Sequence, residues 1–421
     1  MQPTLQSVGR FRRPNQRCPK NNKLITFKNI SKSVINSLSY IHFPKGRKWI
    51  AEDIIAILAY SWIKGVSIHH ACEKLNAWAV QAHPKLVWEY ADGRHRRLYP
   101  HQTTVNAWLR LLSLVNAQDL SRTVFEVSLR RFFFRNNRSK RVVLEFDLTY
   151  LGYWGKRRDR LIKGSRMVKG TRHIRHYHAA MIHGAGVSLY VGLHHVAKGQ
   201  SKVPFMIETA QWLLKMGFEI SYCVVDREYY RQGVLNALKQ LHIDVITPAK
   251  DYKRLGTAKR DYLMGIKGRT QQYSLSQGAR TGRIAKKVKC WIIFHARGYQ
   301  RLDEIKRDFQ QGMRTLKDAS DQIYALITTR APQYSGSRFP LQTRRVYKMR
   351  WQIETAFRDN EIHKAIWRSN FDGTRFIGEL GRLLMFNAWQ IARREDPRKN
   401  RLTFQMFRDE LVDRETNWLN L

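Results

Sequence analysis

Three acids stand where chemistry is possible. Asp147 closes the apolar run Val142 to Phe146, Asp226 closes Tyr222 to Val225, and Glu354 follows Tyr347 and Arg350 in the pattern Tyr-x2-Arg-x3-Glu. An acid at the end of a buried strand loses hydration and needs a neutralising cation. Divalent metal ions and a nucleic-acid phosphate are such partners: two ions about 4 Å apart can activate an attacking oxygen and stabilise a leaving one. Hard ions take oxygen ligands, so carboxylates from separate elements must converge on them. We therefore read Asp147, Asp226 and Glu354 as the catalytic and metal-binding acids of a phosphoryl-transfer site that uses Mg²⁺ or Mn²⁺. The chain carries 76 Lys and Arg against 33 Asp and Glu, a net charge of +43, and so has few acids for such positions.

Two further acids compete. Glu145 shares a strand face with Asp147, and Glu228 follows Asp226 at the same spacing of two; each could be a ligand or a supporting acid. Taken singly, a strand-end acid is more often a turn or cap residue, and the argument rests on the combination. Tyr347, Arg350, Glu354 and Arg358 fall at i, i+3, i+7 and i+11, which on a continuous helix places them on one face. That face could hold metal and DNA strand together, or it could be a solvated surface with Arg350–Glu354 and Glu354–Arg358 pairs. His173, His176, His178, His183, His194 and His195 crowd two strand-like runs without the cysteine or HExxH pattern of a zinc site. They read as polar lining or satisfied strand histidines. Tyr150, Tyr153 and Trp154 follow Asp147, and a mixture of core rings and base-stacking rings is expected there.

The elements that must position these residues follow from composition and pattern. The chain has 421 residues, 43% of them hydrophobic, enough for two or three domains with real cores. Positive charge spread over the whole length points to a polyanionic partner, double-stranded DNA. No apolar run approaches the roughly 18 residues of a spanning helix, and the expected location is cytoplasmic, in association with the nucleoid. Met1 to Ala51 has no acid and eleven Lys or Arg, but Pro14, Pro19 and Pro44 interrupt any amphipathic helix. Residues 1–48 are thus read as a flexible DNA-tracking arm. Cys18, Cys72, Cys223 and Cys290 fit no zinc spacing and read as reduced thiols.

Helical periodicity from Trp49 to Ala77, broken at Gly65-Val66-Ser67, has the form of a helix-turn-helix. A third helix, Gln102 to Val115, presents Asn106 and Arg110 to a DNA groove. Residues 49–135 are the expected helical DNA-binding region, with an ordinary helical bundle as the competing reading. Strand-like runs at Val142–Leu151, His173–His183 and Val187–Val196 precede a helix at Val203–Met216. A strand at Ile220–Val225, a helix at Gln232–Leu241 and a strand at Asp244–Pro248 complete the order of a ribonuclease-H-like mixed sheet with flanking helices, an α/β (α+β) fold. We assign the catalytic core to 136–250 and 345–395, a β-rich insertion to 251–344, with strands at Lys289–Ala296 and Gln322–Thr328, and a tail to 396–421. One helix is expected from Arg345 to about Ile366 and another from Phe376 to Ala392.

On these motifs the sequence resembles the insertion-sequence DDE transposases, whose final acid sits in Tyr-x2-Arg-x3-Glu-x6-Lys. Tyr347, Arg350 and Glu354 match, and Phe146-Asp147 and Asp226-Arg227-Glu228-Tyr229 are similar to the first two blocks. The resemblance runs from about Val142 to Trp389. It implies a ribonuclease-H-like core, Asp147, Asp226 and Glu354 as metal ligands, and Tyr347 and Arg350 in contact with DNA near the element end. Arg227, beside Asp226, is a further DNA-binding candidate. It also implies cleavage of element ends, strand transfer into target DNA, and a homodimer pairing the ends. The signature lysine falls at Glu361; the nearest lysine is Lys364. Arg358 lies within about 40° of the Glu354 face and Lys364 about 80° from it, so either could supply the phosphate contact. A nuclease or resolvase that cuts without integrating, and a catalytically inactive DNA-binding protein, are the alternatives.

Overall fold

The computed structural model describes residues 51–82, 99–135, 137–156, 159–168, 170–250, 253–276, 287–332, 338–362, 367, 369, 371–395 and 403–413. The expected arm at 1–48 lies outside them. Helices α1 (Ala51–Lys64) and α2 (Ile68–Ala82) are joined through Gly65 at φ +68°, a left-handed turn position that favours glycine. Helices α3 (Gln102–Leu111) and α4 (Leu114–Leu129) follow, the latter ending in a π-helical turn at Arg130–Phe134. The core continues with β1 (Arg141–Gly152), β2 (Lys163–Val168), β3 (Thr171–Gly184), β4 (Val187–His195), α5 (Val203–Lys215), β5 (Glu219–Val225), α6 (Gln232–Gln240) and β6 (Val245–Pro248). Next come α7 (Lys253–Leu263), β7 (Thr270–Ser276), β8 (Lys287–Ala296), α8 (Leu302–Gln310), α9 (Leu316–Asp321) and β9 (Ile323–Thr328). Four helices close the chain: α10 (Phe339–Lys348), α11 (Trp351–Ile362), α12 (Asp372–Glu395) and α13 (Phe404–Asp413).

Among the described residues nine strands form one mixed sheet. Its heart is β4-β3-β1-β5-β6, with β3 antiparallel to β1 and β4, and β1, β5 and β6 parallel. This is the strand order expected of a ribonuclease-H-like sheet. The segment read as a β-rich insertion is mixed instead: β9 pairs antiparallel with β6 and carries the sheet on through β8 and β7, while α7, α8 and α9 pack beside those strands. Strand β2 and the helix α4 are additions to the sequence reading, and the helix expected at Gln102–Val115 breaks after Leu111.

Sheet pleating assigns alternate residues of β1 to opposite faces. Leu144 and Phe146 enter a core with Ala180, Ile182, Val191 and the helices α5 and α6. The other face packs Tyr177, Ala179, Met181 and Tyr190 against α12, with α1 to α4 continuous in the same core. Helix α12 is buried on nearly all sides, and Asn387 pins it to the sheet. Its amide oxygen accepts from Tyr190 N–H at 2.7 Å and its amide nitrogen donates to Tyr190 C=O at 2.8 Å. Those backbone groups lie on the free edge of β4 and would otherwise be orphaned. No described helix is long and apolar enough to cross a membrane, and Cys72, Cys223 and Cys290 are buried free thiols.

The helical N-terminal region meets α12 at closest range where Trp62 of α1 lies over Gly381. A Cβ at position 381 would overlap the Trp62 ring, which also stacks on Trp367 at 6.0 Å. Gly381→Val should therefore destabilise the protein by about 1–3 kcal/mol through overpacking. Urea unfolding measures this, and an unchanged midpoint contradicts the packing described.

Candidate active site

The two aspartates are brought together by sheet pairing. β1 and β5 run parallel with Phe146 opposite Val225, so Asp147 and Asp226 are the next residues on neighbouring strands, which lie about 4.8 Å apart. Asp147 shares its face with Val143 and Glu145. On that face Val143, Tyr222, Val224, Ile246 and Leu326 receive Val346, Tyr347 and Met349 from the junction of α10 and α11. The third acid arrives on this junction.

The helix expected to run unbroken through Glu354 is two helices, a correction that changes how the motif works. Between them Met349, Arg350 and Gln352 donate N–H bonds to Val346, Tyr347 and Met349, three residues back, the tighter 3₁₀ pattern. Arg350 occupies this turn and points inward. Its Nη1 lies 2.6 Å from Glu354 Oε1 and 4.0 Å from Asp226 Oδ1, and its Nε donates to the Tyr347 hydroxyl at 3.1 Å. Tyr347, Arg350 and Glu354 meet through this turn and not through one straight helical face. Arg358, one turn beyond Glu354 on α11, is exposed. Lys364 and the side chain of Glu361 lie outside the described residues.

One guanidinium thus faces three acids. Burial raises the Asp147 carboxyl to about 7; the Leu148 N–H bond at 2.8 Å and Arg350 pull it back, and Asp226 and Glu354 push it further up. Burial by itself would lower the Arg350 guanidinium, but Tyr347, Glu354, Asp226 and Asp147 outweigh it and hold the charge more firmly than usual. Asp226 and Glu354 keep 37% and 49% of their side-chain surface open, so ligands can reach them.

Glu145 does belong to this neighbourhood. It is fully buried, first burial and then Asp147 raise its carboxyl well above the usual range, and its Oε2 meets His183 Nε2 at 2.7 Å. His183 Nδ1 meets the Ser188 hydroxyl at 2.9 Å, and that hydroxyl donates to Oε1 of Gln352 on α11. Read in this sense the chain places the proton on Glu145 and leaves His183 neutral, in keeping with a His183 pKa that burial lowers to about 4. Ser188 and Gln352 carry no type-specific sequence signal. Glu228 turns away and pairs with Lys202 at 2.9 Å. His194 bonds Gln118 and Gln200 and is a satisfied strand histidine; His195 bonds Leu161 C=O through Nε2 but leaves its buried Nδ1 without a hydrogen bond among the described residues, and neither ring nitrogen of buried His178 has one.

Beside Asp226 and Tyr347 lies a cleft of about 370 Å³ that also carries Arg227 and Arg297. Tyr150 and Trp154 are exposed and Tyr153 is a core ring. Asn106 and Arg110 sit on α3, which packs on α2 and α12; the Arg110 guanidinium lies 5.0 Å over the Phe371 ring, so this pair is not gathered with the acids. Among the described residues no three acidic, histidine or cysteine side chains close into a metal cage as they lie. Asp147, read from sequence as a strand-end acid, lies within β1, which runs on to Gly152 against β3 after its β5 partner has ended at Val225. The donor types nevertheless fit a hard divalent ion: carboxylate oxygens from mid-β1, the end of β5 and a facing helix, with Arg350 in the neutralising position between two of them.

A family model described as the transposase DDE domain matches residues 156–375, which include Asp226 and Glu354 and begin beyond Asp147. Among solved structures the chain is similar to a piggyBac transposase synaptic complex with hairpin DNA, at TM-score 0.47 and 10% identity over 93% of this chain and 78% of that one. It is also similar to a Drosophila P element transposase strand transfer complex, at TM-score 0.22 and 12% identity over 85% and 71% of the respective chains. No curated protein matches the chain.

The raised Asp147 carboxyl has a measurable sign. The folded chain holds this proton up to about pH 7, whereas an unfolded aspartate releases it near 3.8. The stabilisation is complete below pH 3.8 and is lost as pH rises to about 7. In chelator, the melting temperature of Asp147→Asn relative to the unsubstituted protein should climb across that window and level off above it. A difference that ignores pH contradicts the buried acid.

Proposed function

The chain belongs to the transposase DDE domain family and is a DDE-type DNA transposase, and from that premise we propose that Asp147, Asp226 and Glu354 are its catalytic acids. Their convergence around Arg350 from the middle of β1, the end of β5 and a facing helix is the observation that carries this reading. Enzymes of the family use divalent metal ions, and here Asp147, Asp226 and Glu354 would hold Mg²⁺ or Mn²⁺. When bound, such ions supply Lewis-acid activation of an attacking oxygen and stabilise the leaving 3′ oxygen.

The chain's own residues do the rest. Arg350 sets the side-chain direction of Glu354, and the Tyr347 hydroxyl fixes the guanidinium plane. Arg227 and Arg297, in the cleft beside Asp226, supply positive charge for the phosphates of a strand entering there. Arg358 extends that path along the exposed side of α11, and Lys364 is a second candidate for the contact of the missing signature lysine. Asn106 and Arg110 belong to a separate contact, a groove of the element end, on the helical region. The partners are transposon-end and target DNA, with the net charge of +43 supporting strong phosphate neutralisation. Two copies would pair the ends before cutting, in the cytoplasm at the nucleoid.

Asp147→Ala, Asp226→Ala and Glu354→Ala should each lower cleavage of an end-containing duplex by at least about 10³-fold while end binding stays within a few-fold. That magnitude is of the order reported for removing a group that acts only in the transition state. A chelator should have the same effect on all cleavage. Gel-resolved cleavage and strand transfer from pre-cut ends measure these outcomes. Cleavage that persists in any one variant removes that acid from the set, and cutting without joined product would favour a nuclease.

A further inference from the structure

Two links tie the Glu354 helix to the sheet beside the acids, and one of them runs through Arg350 to Asp226 at the end of β5. The other is the side-chain chain from Glu145 on β1 through His183 on β3 and Ser188 on β4 to Gln352 on α11. Its two ends stand two residues from Asp147 and two from Glu354. The three strand residues share one sheet face: His183 lies opposite both Val143 and Ser188 in register, and Glu145 is on the Val143 face. Glu145, His183 and Ser188 are buried, so each side chain can satisfy its polar atoms only through its neighbours in the chain. Gln352 is exposed and is the point at which this buried row grips the helix.

Resting on the functional reading above, we propose that Glu145, His183, Ser188 and Gln352 are positioning residues that hold Glu354 over Asp147 on β1 independently of Arg350. The physical need is clear from the geometry. The Arg350 link is made by the acids themselves, so any cation that those acids accept competes for it. The chain behind them uses none of the three acids and keeps α11 in register whatever cation the site holds. Such supporting bonds orient ligands, and their loss typically costs 10–100-fold in affinity or activity.

The test compares Ser188→Ala and Gln352→Met, which break the chain, with Ser188→Thr, which keeps a hydroxyl. Ser188 lines a cavity of about 670 Å³, so the added methyl has room. Gln352 is exposed, so its replacement leaves the fold intact even if a change at Ser188 does not. Two readouts are taken on the full chain: the rise in melting temperature on adding Mn²⁺ alone, and the Mn²⁺ dependence of single-turnover cleavage. Both breaking variants should need about tenfold more Mn²⁺ for half of either effect, with DNA affinity within about twofold, and Ser188→Thr should match the unsubstituted protein. Unchanged Mn²⁺ dependence in both breaking variants overturns the proposal. If the unsubstituted chain cuts no DNA, the functional reading fails, and the Mn²⁺-induced melting shift still decides this one.

Discussion

A single guanidinium held among carboxylates is the interaction on which this structure turns. Asp147, Asp226 and Glu354 approach one another at the front of the sheet, with Glu145 buried behind them, and like charges at such range cannot all ionise without compensation. Arg350 supplies the compensation, 2.6 Å from Glu354 and 4.0 Å from Asp226. Its position explains the break between α10 and α11: the chain tightens to 3₁₀ bonding where the guanidinium turns inward. Burial holds the Asp147 proton up to about pH 7 against the pull of Arg350, and the more open Asp226 and Glu354 are the acids that pair with the guanidinium.

The rest of the fold serves to place that group of acids. Parallel pairing of β1 with β5 sets Asp147, within β1, beside Asp226 at the end of β5, and the antiparallel β3 and β4 extend the same face under α11 and α12. Asn387 locks α12 to the free edge of β4, and the packing of α1 to α4 on α12 makes the helical region continuous with the core. The segment between β6 and α10 widens the sheet at its far side through β9, β8 and β7, and its Arg297 and Tyr324, with Pro248 at the end of β6, border the cleft next to Asp226.

Much of this is legible in the residues alone, for reasons particular to each element. β1 and β5 are buried on both faces over most of their length, so they read as apolar runs, and Asp147 and Asp226 stand out where those runs stop, although β1 itself continues to Gly152. The strands at 287–296 and 323–328 read for the same reason. β2 does not, because Lys163-Gly164-Ser165-Arg166 has neither alternation nor an apolar run. Helix α4 has the stripe Ala117, Leu120, Val124 and Phe125 at helical spacing, but Asn116, Gln118 and Asp119 among those residues give it a mixed texture. Helix α7 lacks an apolar run and shows itself only through packing on α8 and α9. At the site, residue type and spacing locate Asp147, Asp226, Arg350 and Glu354. The break at Met349–Arg350 escapes, since periodicity is local and the ion pair with Asp226 spans the sequence. Ser188 and Gln352 escape for the same reason: nothing marks a serine on a strand or a glutamine on a helix until tertiary structure joins them.

The central claim, that one buried guanidinium compensates acids drawn from three elements, is most directly measured by a double-mutant cycle in chelator with Arg350→Met and Asp147→Asn. Removing Arg350 alone leaves the acids uncompensated, and removing the Asp147 charge as well relieves part of that cost. The account predicts that at pH 8 the two substitutions together are more stable than the sum of their separate effects by about 1 kcal/mol or more, the range found for residues in one network. Strict additivity in urea unfolding would contradict it.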